Sequence, residues 1–370
     1  MGGKMSIDEV RVGAVMEATF WANPVETSRH RFRATHLDGR RAPKVVLSDD
    51  AAIRPGVPCL VRVDAVDKPD RPDRGSIEVS FVRPAPFRLE GVYLDPLVAK
   101  KLQILLESGL NILLDGPQGC GKTTLARSIA EALGMRFVFF NCGAVIEASD
   151  FFATIQVRAS ESGQPVTDFV KTELLEALEE AGGAPEVRYL LFLDELNRCA
   201  EGARNALMPA LDATRKVFHP IENRFLSIPD NVQFVAAVNR GAEFTGTFGI
   251  DAAQLDRFAP LQMDYPPPEE EAKILRARHP SLGKTLIGRI VGCADAVRRS
   301  PDVPGGLSVR ATDEACIYLE HPLMENEATR MLPEVLKSSF CGRFAGRWDD
   351  PESDAGAAWA LVQARLREGG

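Results

Sequence analysis

Eight residues, GPQGCGKT at 116–123, gather the groups that one ligand chemistry needs. They fit G-x-x-x-x-G-K-[ST], the pattern of a phosphate-binding loop. Gly116, Gly119 and Gly121 let main-chain amides converge on phosphate oxygens, and a helix beginning there adds partial positive charge. Lys122 is placed to reach β- and γ-phosphates, and the Thr123 hydroxyl to ligate magnesium. Pro117, Cys120 and Thr124 complete the candidate binding loop. Downstream, YLLFLDEL at 189–196 is an apolar run that ends in two carboxylates. Asp194 suits the magnesium shell, and Glu195 suits a general base that polarises an attacking water. NVQFVAAVNRG at 231–241 places Asn239 at the end of another apolar run. A neutral amide there can hydrogen-bond both a γ-phosphate and the water. AAQLDRFAP then sets Arg257 after a short helical stretch.

These side chains need a scaffold that brings them to one place. Residues 111–115 (NILLD) read as a short buried strand. Residues 124–133 put Leu125, Ile129 and Leu133 on one helical face, so the loop joins a strand to a helix. Leu97, Lys101, Ile104 and Leu105 suggest a helix leading into that strand. Further strands at 136–141, 189–194, 232–239 and 260–265 alternate with helical patterns, which argues for a parallel α/β sheet between helices. After the prolines at 266–268 no strand is expected. Helical patterns run over 269–279, 285–298, 308–320, 332–344 and 355–367.

The first 88 residues read differently. Val10, Val12, Ala14, Met16, Ala18 and Phe20 alternate along one strand. Arg29, Arg31 and Arg33 alternate with Phe32 and Ala34 along a second. Strands at 44–47, 59–66 and 76–82 follow, separated by Pro, Gly and Asp clusters. The expectation is a small antiparallel barrel or sandwich that ends near Pro84 and Pro86. The chain then divides into a barrel-like β-domain (1–88), an α/β core (89–265) and a helical lid with C-terminal helices (266–370).

Composition is that of a globular protein of ordinary charge content, with 370 residues and a net charge of −8. Residues 1–90 carry 15 Lys and Arg against 13 Asp and Glu; the remainder carries 29 against 39. A slightly basic front end thus precedes an acidic body. Seven cysteines form no C-x-x-C pair and no zinc spacing, which suits reduced thiols in the cytoplasm. No apolar run approaches the 18 residues of a membrane span.

GPQGCGKTT, LLFLDELNR, VAAVNRG and LDRF, in that order and spacing, resemble the AAA+ ATPases over about residues 90–320. The resemblance is closer still to the MoxR/CbbQ group and the dynein-related AAA domain. It implies that Gly116, Gly121, Lys122 and Thr123 take the Walker A positions and Asp194 and Glu195 the Walker B positions. It implies sensor 1 for Asn239, sensor 2 for Arg310, and for Arg257 an arginine finger acting on a neighbouring subunit. The stretches between Phe151 and Asp168 and between Lys216 and Ile228 resemble the helix-2 and pre-sensor 1 hairpin inserts. Arg240 departs from the proline many MoxR relatives carry, and the segment up to Phe258 is nearer some dynein-related domains. The family implies ATP and Mg2+ as ligands and a homo-oligomeric ring, a hexamer. The implied work is remodelling or maturation of a protein partner. No Asp-x-Ser-x-Ser metal site occurs in the chain. A von Willebrand A-type partner would therefore be a separate polypeptide. The alternative is a nucleic-acid-directed NTPase of a restriction or defence system, with Trp21, Phe32 and the Arg29/Arg31/Arg33 face of the front domain binding single strands. The phosphate contacts leave ATP against GTP open.

Overall fold

The computed structural model describes residues 11–22, 32–35, 44–47, 58–67, 76–84, 89, 91–159, 165–219, 222–239 and 249–368. The first five strands are β1 (Val15–Ala22), β2 (Phe32–Thr35), β3 (Lys44–Leu47), β4 (Pro58–Asp67) and β5 (Ser76–Pro84). They form one sheet in the order β2-β1-β4-β5-β3. The expected all-antiparallel pairing is corrected at one edge: β3 runs parallel to β5. The connection from β3 to β4 therefore carries the chain across the sheet, and local alternation cannot show which neighbour a strand finally takes. Edge strands β2 and β3 come into contact, giving the connectivity of a five-stranded Greek-key barrel. Register shifts between β4 and β5 bend the sheet, and Cys59, Val61, Val63, Ile77 and Val79 are buried on one face. Arg29 and Arg31 lie outside the described residues.

The chain continues through α1 (Pro96–Glu107), β6 (Ile112–Asp115), α2 (Lys122–Ala132), β7 (Arg136–Asn141), β8 (Ala153–Ala159), β9 (Pro165–Lys171), α3 (Glu173–Gly183) and β10 (Tyr189–Asp194). Then come α4 (Glu201–Leu211), β11 (Lys216–His219), β12 (Arg224–Ser227), β13 (Val232–Val238), α5 (Ala252–Leu255) and β14 (Ala259–Gln262). A parallel sheet in the order β14-β6-β13-β10-β7 lies at the centre. Its inner strands are largely apolar because helices cover both faces, with Gln233 and the terminal Asp115 and Asp194 as the polar residues. Leu113, Leu191, Leu193, Phe234 and Ala236 pack toward α3 and α4. Ile112, Leu114, Leu190, Phe192, Val235 and Ala237 pack toward α1 and α2. The two inserts are antiparallel ribbons, β8–β9 and β11–β12. Residues 160–164, 220–221 and Arg240 are outside the described set.

The remainder is helical: α6 (Pro268–Arg278), α7 (Lys284–Arg299), α8 (Val309–Glu320), α9 (Ala328–Leu336) and α10 (Asp354–Glu368), packed around their own apolar core. The expected helix over 332–344 begins earlier, at Ala328, and passes at Lys337 into one wide π turn ending at Cys341. Leu332, Val335, Leu336 and Phe340 are all buried. The apolar period thus continues through the change of winding, which is why the pattern read as a single helix.

Candidate functional site

The parallel register fixes which strand ends meet. Val238 pairs with Asp115, and Leu193 with Ala236. The carboxyl ends of β6, β13 and β10 therefore lie side by side, where open α/β sheets bind ligands. β6 turns into the glycine-rich loop, β10 delivers Asp194 and Glu195, and β13 delivers Asn239. One cleft is lined by Gly119 to Thr124, Asp194, Glu195 and Asn239 at one end. Gly91, Val92, Tyr93, Pro266, Ile274, Arg278, Arg310 and Asp313 are among the residues that line the rest. Gly116 and Pro117 line an adjoining cavity behind the loop, with Asp115 and Tyr265.

Local geometry follows from the sequence. Gly121 takes φ 103°, a left-handed value that suits glycine, and caps α2 from outside. Lys122 is buried, and its Nζ donates to the carbonyls of Gly116 (2.7 Å) and Pro117 (2.9 Å). Burial pushes its amine below the ordinary lysine range, against the pull of Asp194 and Asp115. The Thr123 hydroxyl lies 3.5 Å from Asp194 Oδ2. Burial pushes the Asp194 carboxyl up, while the Glu195 amide, Lys122, Thr123 and Arg310 favour its charged form. A hydroxyl beside a carboxylate is a hard oxygen pair, and these two fit a magnesium ion.

Glu195 sits at φ 53°, an uncommon left-handed setting for a side-chain-bearing residue. Its carboxylate lies 3.5 Å from Arg198 Nε and close above Gly143, where an added β carbon would be 3.1 Å from Oε2. Asn197 Nδ2 donates to the Asn239 carbonyl at 2.8 Å and so ties the end of β13 to the turn after β10. Arg310, in the first turn of α8, is exposed in the cleft and acts electrostatically on both Lys122 and Asp194. Arg257 does not line the cleft. It is held by the Ala253 carbonyl (2.6 Å) and by Asp212 (3.6 Å).

Sequence reading missed the far end of the cleft. Gly91 to Tyr93 precede α1, Ile274 and Arg278 belong to α6, and Asp313 to α8. Each is an ordinary residue in its own segment, with no local motif to mark it. Arg198 was missed as well; it belongs to the quoted DELNR stretch, and the i,i+3 spacing to Glu195 was the available signal.

The AAA domain of the dynein-related subfamily matches residues 111–258. A Thauera aromatica protein named as a candidate chaperone, BssE, is 31% identical over 206 residues, covering 55% of this chain and 67% of that one. The chain therefore belongs to the AAA+ ATPase family, in its dynein-related branch. An uncharacterised protein of Staphylococcus saprophyticus is 28% identical over 171 residues, 46% of this chain. The chain spans 62% of the length of that relative and of its Staphylococcus haemolyticus counterpart. Among solved structures, the Thermotoga maritima RuvB Holliday junction branch migration motor is similar at 19% identity and a TM-score of 0.43. That likeness covers 66% of this chain and 69% of that one.

Proposed function

We propose that this chain hydrolyses ATP with magnesium, in a hexameric ring, and uses the cycle to remodel or mature a separate protein partner. The observation that carries the reading is the meeting of Lys122, Thr123, Asp194, Glu195 and Asn239 in one cleft, with Thr123 and Asp194 adjacent. Lys122 contacts the β- and γ-phosphates, exchanging its two carbonyl partners for phosphate oxygens. Thr123 and Asp194 would hold the magnesium, which would supply charge neutralisation of the phosphates. Glu195 orients and deprotonates the attacking water, and Asn239 fixes that water against the γ-phosphate. Arg310 adds positive charge from the helical lid. Arg257 is assigned to the neighbouring subunit's nucleotide, because its tether to Asp212 and Ala253 keeps it out of its own cleft. The chaperone reading draws on the relation to BssE. Seven free, buried cysteines suit a reducing, cytoplasmic setting, and no helix among the described residues is long and apolar enough to cross a membrane.

The test separates binding from chemistry. Lys122→Ala should abolish nucleotide binding, whereas Glu195→Gln should bind ATP and fail to turn it over. A Glu195→Gln protein that keeps most of the wild-type rate removes Glu195 as the base.

A second reading rests on the front domain. Its strand order is that of the barrels that bind oligonucleotides, and the β1–β2 register sets Trp21 opposite Arg33. Under this reading ATP hydrolysis rises with single-stranded DNA or RNA. Under the first it rises only with the protein client.

A further inference from the structure

The first turn of α8, which carries Arg310, is held from behind by groups that do not line the nucleotide cleft. Glu271 on α6 is fully buried and Arg298 on α7 nearly so. They bond two-on-two: Arg298 Nη1 meets Glu271 Oε2, and Nη2 donates to Oε1 at 3.0 Å. Thr312 on α8 donates its hydroxyl to the same Oε1 at 2.6 Å. Arg298 Nε donates to the Leu307 carbonyl at 2.6 Å. The guanidinium also lies over the Tyr265 ring, 4.7 Å from its centre. The Tyr265 hydroxyl in turn donates to the Gln118 carbonyl of the phosphate loop at 3.0 Å.

A continuous chain of contacts therefore runs from the loop's main chain to residues 307 and 312, which bracket Arg310. An ion pair buried this deeply costs desolvation and is weak evidence for stability alone. Its fixed, two-pronged geometry suits a part that must hold one orientation. Arg310 is long, and where its guanidinium reaches depends on the setting of the α8 first turn. We infer that Tyr265, Arg298 and Glu271 are positioning residues for Arg310, and that the Tyr265–Gln118 bond makes the setting of α8 respond to the state of the phosphate loop. This rests on the reading of the cleft as an ATP site.

A double-mutant cycle on the full chain tests it, with Tyr265→Phe, Arg310→Ala and the double variant. Tyr265→Phe removes one hydroxyl and keeps the ring beneath Arg298, so the fold is retained. Affinity for a fluorescent ATP analogue and the KM and kcat of hydrolysis are measured for each. Tyr265→Phe should weaken binding measurably, by up to about fivefold, the full worth of one hydrogen bond. In the Arg310→Ala background it should cost nothing further. Arg298→Lys keeps the charge but not the fork or the stack. It should reproduce the Tyr265→Phe loss in the same Arg310-dependent way, with the apo protein still folded. Equal losses in both backgrounds, or no loss from Tyr265→Phe, overturn the inference. Wild-type protein that binds no ATP overturns the reading of the cleft, a result seen before any variant is compared.

Discussion

A single methyl group added at Gly119 should break the seam between the phosphate loop and the helical region. Gly119 has φ +72°, and an added β carbon would lie 2.3 Å from Ser308 Cβ and 3.3 Å from Ser308 Cα. The left-handed backbone alone costs a non-glycine residue about 1–2 kcal/mol. A 2.3 Å approach cannot be absorbed by a flexible tip, because the obstacle is a β carbon at the start of α8. The start of α8 must therefore move away, and the Val309 amide loses its 3.3 Å bond to the Gly119 carbonyl. That bond is worth about 1 kcal/mol. The losses sum to about 2–3 kcal/mol of folding free energy, and because Gly119 lines the cleft the displaced loop should also bind ATP more weakly. Anisotropy of a fluorescent ATP analogue reads the affinity, and a thermal melt of the apo protein reads the strain. Adding Ser308→Gly removes the obstructing β carbon and should recover the steric part, leaving the backbone cost. An apo Gly119→Ala protein that unfolds at the wild-type midpoint, or a double variant no more stable than the single, would refute the reasoning.

Three further outcomes are expected. Arg257→Ala should lower the hydrolysis rate far more than ATP affinity, and mixing it with Glu195→Gln should restore some activity across mixed interfaces. A concentration-independent rate for the monomer would rule that out. Lys122 has a folded-state pKa below its ordinary value, so the unfolded chain binds more protons between the two, and stability rises with pH across that window. Lys122→Met should therefore melt above apo wild type at neutral pH. The gap should narrow as pH climbs toward the ordinary lysine value of about 10.4; a constant gap in melts taken from pH 7 to 10 contradicts the burial argument. All seven cysteines are free and buried, and burial lifts Cys59, Cys199, Cys293 and Cys341 to about 11 and Cys316 to about 12. A thiol reagent at pH 8 should label the native protein slowly and all seven sites in denaturant. Cys120, in the cleft lining, should be shielded by ATP, and fast labelling unaffected by ATP would argue against that placement.

The phosphate end of the cleft was legible because its chemistry is contiguous in the chain. Gly119 to Thr124 offer main-chain amides, one amine and one hydroxyl, all supplied by a single strand–loop–helix turn. Asp194, Glu195 and Asn239 were legible for a related reason, since each ends an apolar run too regular to be anything but a buried strand. Strand alternation likewise exposed the small β-domain. It could not expose the parallel pairing of β3 with β5, which depends on how the sheet closes on itself.

By itself, then, the sequence determined the family, the strands that carry its motifs and the residues at their ends. Local period and local motif are properties of neighbouring residues, and neighbours are what a sequence displays. Only the tertiary structure decided what covers the other side of the cleft. Gly91 lies more than 180 residues before Arg278 and Asp313, and packing of the helical region brings them to the same cleft. The same packing sets Tyr265 against Gln118 and buries Glu271 with Arg298. No single segment carries a sign of these contacts, because each partner is an ordinary residue until burial removes the water that would otherwise solvate it.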